Sequence, residues 1–233
     1  KALAGPAVLA VALRTLWISL LSAAICLVLA VPTAYYLARL PARWRNPLLM
    51  LIIVPFWTSF LVRVFAWKSL LHPEGPVKQA LVLAGLAAPS TPLLYNSAAV
   101  VLVTVYAYLP FTILPIYAAA EKFDFQLLEA ARDLGAGRWQ ACRRIFLPGI
   151  RTGLLTGLLF VFIPALGSYL IPDLVGGPGG ELLGNRISQR VFVDRNLPEA
   201  GALSALLILG VLLPLGAVLA LERGRARPRT EGG

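Results

Sequence analysis

The sequence has little charge, only two cysteines and a single histidine. Of its 233 residues, 14% are charged and 58% are hydrophobic, whereas soluble domains contain roughly 25% charged and about 45–50% apolar residues. Two cysteines exclude a small domain that depends on several disulfides, and one histidine, His72, gives no support to a metal site. Low charge with high hydrophobicity also excludes intrinsic disorder. The surplus of apolar residues therefore has to face lipid.

Four long segments contain no charged residue, and a fifth is uncharged over residues 48–62 before Arg63 and Lys68. About 20 apolar residues cross the hydrocarbon core as a helix, because the backbone polar groups must be satisfied within the segment. The sequence predicts an all-α polytopic membrane helix bundle with five spans, at residues 15–38, 47–71, 97–120, 152–172 and 200–221. Kinked or broken helices are expected at the prolines within them: Pro32, Pro55, Pro110, Pro115 and Pro164.

The basic residues predict the orientation of the spans. Thirteen of the 21 Lys and Arg residues fall in segments 39–45, 121–151 and 223–229, which five spans place on one side. The positive-inside rule assigns that side to the cytoplasm, so residues 1–222 form one transmembrane domain and residues 223–233 a basic cytoplasmic tail. The chain then starts outside and without Met, so we expect a further span or signal before residue 1. Residues 79–89 are too short to span and predict a short outer helix.

The loop at residues 121–151 contains a helical pattern. Apolar residues recur with a 3.6-residue period and form one predicted stripe: Phe123, Leu127, Ala130, Ala131 and Leu134. A break is expected at residues 135–137, Gly-Ala-Gly, and a second helix at residues 138–146, which Pro148 then interrupts. This pattern fits both a helix pair that lies on the membrane surface and a docking site for a partner protein.

The spacing of residues in this loop resembles that of a known family. Glu129-Ala130-Ala131 is followed after three residues by Gly135 and after nine more by Ile-Phe-Leu-Pro at 145–148. This arrangement is similar to the EAA loop of permease subunits in binding-protein-dependent ABC importers, the MetI-like superfamily. Residues 55–63, 128–136, 163–167 and 173–179 resemble the spermidine/putrescine branch in particular. The resemblance extends roughly over residues 10–222.

The resemblance implies that the loop is a coupling helix in a cleft of a cytoplasmic ATPase, and that the ATPase binds ATP and Mg. This chain would then not be an enzyme and would bind no cofactor, and its sequence contains no G-x-x-x-x-G-K-[ST]. The implied ATPase contacts are Glu129, Ala130, Ala131 and Gly135, flanked by Arg132, Asp133 and Arg138. The implied partners are two ATPase subunits, a second permease subunit, homologous or identical, and an extracytoplasmic substrate-binding protein. The implied location is the inner membrane of a bacterial cell, with no nucleic acid partner.

The resemblance also implies a pathway for a small solute, with a polyamine as the expected substrate. Another small organic solute or ferric iron is the alternative within importers, and a secondary transporter or channel is the alternative from another class. Ammonium groups are attracted to aromatic faces and to carboxylates, and aromatics at span ends also serve as interface anchors. The candidate pathway residues are Trp57, Tyr106, Tyr108, Tyr169 and Asp173, with Arg63 either pairing with an acid at a gate or extending to the interface. Gly153 and Gly157 predict a close helix contact.

Overall fold

The computed structural model describes residues 6–85, 88 and 90–223, and within these residues the chain forms helices and no strand. Three helices are long and apolar enough to cross a membrane: α1 (Pro6–Arg39), α5 (Ser97–Glu121) and α11 (Leu197–Arg223). Two bent helix pairs raise the number of spans to as many as five. This architecture confirms the predicted all-α bundle. Of the predicted basic tail at residues 223–233, Arg223 is the last residue of α11, and residues 224–233 lie outside the described residues.

The centre of the bundle is formed by α1, α5 and α9 (Arg151–Leu166). α1 turns small residues toward its neighbours, and the completely buried ones include Ala23, Cys26, Ala30 and Ala34. α5 begins where the side chain of Asn96 accepts a hydrogen bond from the Ala99 amide at 2.8 Å, which satisfies one free N–H of the first turn. Small side chains let the helix backbones approach closely, which is how helices pack in lipid.

The predicted span at 47–71 is bent and not straight. α2 (Ala42–Ile53) continues into a 3₁₀ turn (Val54–Trp57), and the next helix, α3 (Phe60–Leu70), leaves at 92°. Thr58 between them is extended, and its hydroxyl donates to the Pro55 carbonyl at 2.7 Å. Pro55 has no N–H to donate to the preceding turn, so the regular hydrogen-bond ladder ends here. The prediction of a break at Pro55 is confirmed.

The predicted span at 152–172 ends earlier than expected. α9 stops at Leu166, and Gly167 caps its last turn by donating its N–H to the Ile163 carbonyl at 3.3 Å. A separate π-helical turn, Pro172–Gly176, follows. Pro164 lies inside α9 without ending it. The outer end of this span is therefore a short helix followed by an irregular segment, because charge-free sequence does not by itself specify helix.

A second bend of 74° separates α9 from the helical segment Arg138–Gly149. That segment consists of α7 (Arg138–Ala141), a π-helical turn (Cys142–Phe146) and α8 (Leu147–Gly149). The prediction that Pro148 interrupts the helix is wrong. Pro148 lies in the first turn of α8, where its missing N–H does little harm, and the chain turns instead at Ile150.

Three further helices lie outside the bundle centre. The short α4 (Pro76–Leu83) confirms the expected helix but begins before residue 79, and part of 84–89 is not described. α6 (Gln126–Asp133) lies in the loop after α5. α10 (Leu183–Phe192) was not predicted, because its many polar residues give it no apolar run. The Leu183 amide donates to the buried Thr15 hydroxyl at 2.9 Å, so α10 is fixed to α1.

Candidate coupling surface and transport pathway

α6 has two apolar faces, of which only one packs against the bundle. Leu128 is 8% exposed and lies among the core residues with Phe125 and Ala131. Leu127 is 51% exposed and Leu134 is 89% exposed. The single stripe predicted from the sequence is therefore wrong, because its members divide between the two faces. The outer face, which has no partner within the described residues, is formed by Leu127, Ala130 and Leu134.

Gly135 ends α6 in a way that requires glycine. Its φ is +88°, and the Gly135 amide donates to the Arg132 carbonyl at 2.9 Å while the Ala136 amide donates to the Ala131 carbonyl at 3.0 Å. These are the two hydrogen bonds of a Schellman motif, which satisfies the last carbonyls of a helix. The predicted break at Gly135 is confirmed. Gly137 has an ordinary φ of −65° and precedes α7.

A cluster of aromatic rings lies behind α6. Tyr35 of α1 is edge-on to Phe146 at 5.1 Å and to Phe125 at 5.8 Å between ring centroids. Phe123 is edge-on to Phe146 at 5.3 Å and to Phe125 at 5.4 Å. Such edge-to-face pairs add about 0.5–1.5 kcal/mol each beyond their burial. The cluster fixes α6 and the following helical segment to the C-terminal end of α1.

Arg39 forms a second connection between α1 and α6. Its guanidinium donates to the Tyr35 hydroxyl at 2.7 Å and lies 5.5 Å from the centre of the Phe125 ring. Its Nη2 is 3.9 Å from Oε1 of Glu129, and both side chains are largely exposed. An ion pair of this kind contributes only about 0–1 kcal/mol. The Glu129 carboxylate therefore stays accessible, and its contact with an ATPase stays a prediction.

The remaining predicted coupling residues lie on the same part of the surface. Ala130, Arg132, Asp133 and Arg138 are exposed, whereas Ala131 is half-buried against the core. The sequence did not single out Trp139, which is 75% exposed beside them. No sequence signal marked it, because the pattern of residues 138–146 does not show which side of this short segment is exposed, and a single exposed apolar residue is ordinary on a protein surface. Cys142, behind this surface, has its thiol pKa raised by burial.

Two predicted pathway residues lie at the bend between α2 and α3. Trp57 is 81% exposed at the end of the 3₁₀ turn. The Arg63 guanidinium lies 4.3 Å from the centre of the Phe56 ring. Its Nε and Nη1 atoms are buried and have no hydrogen-bond partner among the described residues. No acid of the described segments pairs with Arg63. Pairing with an acid at a gate and extension to the interface both stay predictions.

The other four pathway candidates lie in two places. Tyr106 is half-buried on α5 with its ring edge-on to Trp67 at 5.2 Å, and Tyr108 packs among core residues. Tyr169 and Asp173 are exposed, and the Asp173 amide donates to the Tyr169 carbonyl at 3.0 Å. Within the described part of the chain, the six candidates make no other hydrogen bond, ion pair or ring pair with one another. The helices and turn that carry Arg63, Tyr108 and Asp173 pack against one another through apolar residues, so these candidates lie on neighbouring elements.

The pair Gly153 and Gly157 of α9 faces α5, as the sequence predicts. A Cβ atom added at Gly153 would lie 2.6 Å from the Ala119 Cβ and 2.7 Å from the Pro115 carbonyl oxygen. At Gly157 it would lie 3.2 Å from Thr112. The two helices therefore touch backbone to backbone along this line.

Comparison with known proteins assigns the chain. Residues 7–227 match the family model of the binding-protein-dependent transport system inner membrane component. The chain belongs to this family. The permease is 38% identical over 205 residues to the spermidine/putrescine transport system permease protein PotB of Escherichia coli K12, covering 87% of this chain and 74% of the relative. It is 32% identical over 230 residues to the inner membrane ABC transporter permease protein YdcU of the same organism, covering 94% of this chain and 73% of the relative.

Solved structures show the same fold. A bacterial ABC transporter involved in the import of the acidic polysaccharide alginate aligns with the permease at a TM-score of 0.69 and 18% identity, covering 96% of this chain and 81% of the other. The bacterial alginate ABC transporter in complex with an alginate pentasaccharide-bound periplasmic protein aligns at a TM-score of 0.67 and 19% identity, covering 100% of this chain and 83% of the other. The resemblance inferred from the EAA spacing is confirmed. The permease is a membrane-embedded, non-catalytic subunit of a binding-protein-dependent importer.

The acids at the predicted outer end of the permease differ in their pairing. Glu181 lies 3.4 Å from Arg186, and Asp194 and Glu199 both pair with Arg190. Asp173 makes no such pair within the described segments and is exposed. A carboxylate that has no cation nearby is the kind of group that attracts one.

Proposed function

We propose that the permease forms, with a second permease subunit, the transmembrane pathway of an ATP-driven importer for a polyamine such as spermidine or putrescine. The observation that carries this proposal is the coupling helix α6, which is fixed rigidly on one side and presents an unpartnered apolar face on the other. Two ATPase subunits bind ATP and Mg and take α6 into a cleft. A separate binding protein delivers the substrate from outside, and the coupling loop and tail lie in the cytoplasm.

The outer face of α6 has the properties of a docking surface. Leu127, Ala130 and Leu134 follow one another at helical spacing, and small Ala130 allows close approach. Fully burying a leucine side chain contributes about 1.5–3 kcal/mol, and Glu129 adds a charge beside the face. Motion of the docked helix reaches the bundle through Arg39 and the aromatic cluster, because both connect α6 to α1 and not only to its sequence neighbours.

The substrate assignment is supported by the similarity to PotB, a relative named for spermidine and putrescine transport. It is also supported by the chemistry of the predicted outer end of the bundle. Asp173 supplies an unpaired carboxylate, and Tyr169 and Trp57 supply exposed rings. Ammonium groups bind both kinds of group. Arg63 repels a cation, so we assign it to pairing with an acid when the pathway closes. Tyr106 and Tyr108 support the wall of the pathway from α5.

Uptake of radiolabelled spermidine into proteoliposomes tests the function. We expect uptake that requires internal ATP and the ATPase, and that unlabelled putrescine inhibits. Asp173→Asn should lower uptake severalfold, whereas Glu74→Gln, the matched loss of another exposed carboxylate on the predicted outer side, should not. Uptake without ATP would show a secondary transporter or channel, and competition by ferric iron in place of polyamines would overturn the substrate assignment.

A further inference from the structure

A groove runs between the predicted inner half of α1 and the coupling loop. It is a cavity of about 820 Å³ with an apolar wall at one end and arginines at the other. The wall is formed mainly by Leu27, Val28, Val31, Pro32 and Tyr36 of α1. The rim is formed by Arg39, Arg132 and Arg138 with the Glu129 carboxylate. The rim shares Glu129, Arg132 and Arg138 with the predicted coupling surface, whereas the apolar wall on α1 lies outside that surface and contains none of the predicted pathway residues.

The groove has the length of one leaflet of a bilayer. Leu27 and Arg39 are twelve residues apart on one helix, which corresponds to about 18 Å at 1.5 Å per residue. Half of the hydrocarbon core is about 15 Å. Val28 is 71% exposed and Tyr36 is similarly uncovered, so no described part of the chain fills the groove. An acyl chain that lies along α1 would reach from the arginine rim to about the bilayer centre.

The rim carries more positive than negative charge. Three guanidinium groups face one carboxylate, and Arg132 and Arg138 make no ion pair among the described residues. The only carboxylate that Arg39 pairs with among the described residues is Glu129, at the long distance of 3.9 Å. Guanidinium groups bind phosphate through paired N–H donors, and Trp139 beside them is a residue type that favours the headgroup region.

We propose that this groove binds one anionic phospholipid of the inner leaflet. Its phosphate is held by Arg39, Arg132 and Arg138, and one acyl chain lies along Leu27 and Val28. The proposal rests on the cytoplasmic placement of the coupling loop in the proposed function. A helix of a second permease subunit is the competing occupant, and it would need acidic residues at this rim to match the charge. A phospholipid brings both the negative charge and the apolar chain.

Native mass spectrometry of the full-length permease, purified with the subunits it retains, tests the proposal. The probes are phosphatidylglycerol and phosphatidylcholine with identical acyl chains. We expect tighter binding of phosphatidylglycerol, and the double variant Arg132→Gln/Arg138→Gln should weaken it by about thirtyfold. The matched control is Arg143→Gln/Arg144→Gln, which removes the same charge from exposed positions of the same loop that do not line the groove.

The apolar wall is tested by Val28→Trp, which fills the groove without changing its charge. We expect this variant to lower phosphatidylglycerol binding as well. Equal binding of the two lipids, or equal effects of the two arginine pairs, would overturn the proposal. If Val28→Trp instead weakens association of the permease subunits and leaves lipid binding unchanged, the groove is a subunit interface and the proposal is wrong. Lipid binding is read on the permease itself, so a failure of transport does not affect the result.

Discussion

The backbone contact between α9 and α5 predicts opposite outcomes for two glycine substitutions. Gly153 faces α5 at a distance that leaves no room for a side chain, whereas a Cβ at Gly210 of α11 meets nothing within 4 Å. Both glycines lie inside helices, so replacement by alanine gains about 1 kcal/mol of helix propensity at either position. The two substitutions therefore differ only in their packing.

The size of the difference follows from the distances. A Cβ at Gly153 would lie 2.6 Å from the Ala119 Cβ and 2.7 Å from the Pro115 oxygen, whereas nonbonded carbon atoms are at their optimum about 3.5–4.0 Å apart. The helices would have to separate by about 1 Å, since backbone cannot move aside as a flexible side chain can. Overpacking of this kind costs about 1–3 kcal/mol, so Gly153→Ala should be less stable than Gly210→Ala by that amount.

Thermal unfolding of the purified permease in detergent measures the difference. A separation of about 2–4 °C in Tm is expected for each kcal/mol in a chain of this size. Ala119→Gly alone should cost about 1 kcal/mol of helix propensity, and it should cost less than that in the Gly153→Ala background, because there it also removes one of the two close contacts and leaves the Pro115 oxygen. Equal Tm values for Gly153→Ala and Gly210→Ala would refute the close approach of the two helices.

Three further predictions concern the coupling loop. Gly135→Val forces a branched side chain into a left-handed conformation and should reduce copurification of the ATPase. Gly137→Val is the control, because Gly137 has an ordinary φ and open space around it, and it should not reduce copurification. Equal copurification of the two variants would contradict the role of the turn. Leu134→Ser should leave Tm unchanged and lower ATPase copurification, whereas Leu128→Ala should lower the stability by about 2–5 kcal/mol; the reverse result would mean that the faces are misassigned. Burial raises the Cys142 thiol pKa, so less thiolate is present at a given pH, and its maleimide labelling rate should keep rising beyond the pH at which an exposed thiol levels off.

The approximate positions of the spans follow from the sequence, because lipid imposes a simple rule on composition. A charge-free run of 20 or more residues is long enough to cross a bilayer as a helix. α1, α5 and α11 confirm this, whereas α9 ends at Leu166 before its charge-free run does. The GxxxG pair and the turn at Gly135 were predictable for a similar reason, since glycine is required where helices touch or where φ is positive. The distribution of basic residues predicts the orientation of the spans, and the cytoplasmic location of the tail stays a prediction.

Hydrophobic pattern could not determine which apolar face of α6 is buried. Both faces carry leucines, so the choice depends on the rings of Tyr35 and Phe146, which are more than 100 residues apart in the chain. The 92° bend after Pro55 and the end of α9 at Leu166 likewise depend on how neighbouring helices pack. The groove between α1 and the coupling loop has no sequence signature, because its apolar wall and its arginine rim come from separate segments.

The sequence by itself determined the membrane class, the family and the position of the coupling helix, since these depend on composition and on residue spacing along one segment. Only the tertiary structure decided that Leu134 is exposed while Leu128 is buried, that Arg39 reaches Glu129, and that within the described residues Asp173 makes no ion pair whereas Glu181, Asp194 and Glu199 do. Each of these facts depends on the distance between residues far apart in the chain. Helix packing sets that distance, and local periodicity does not.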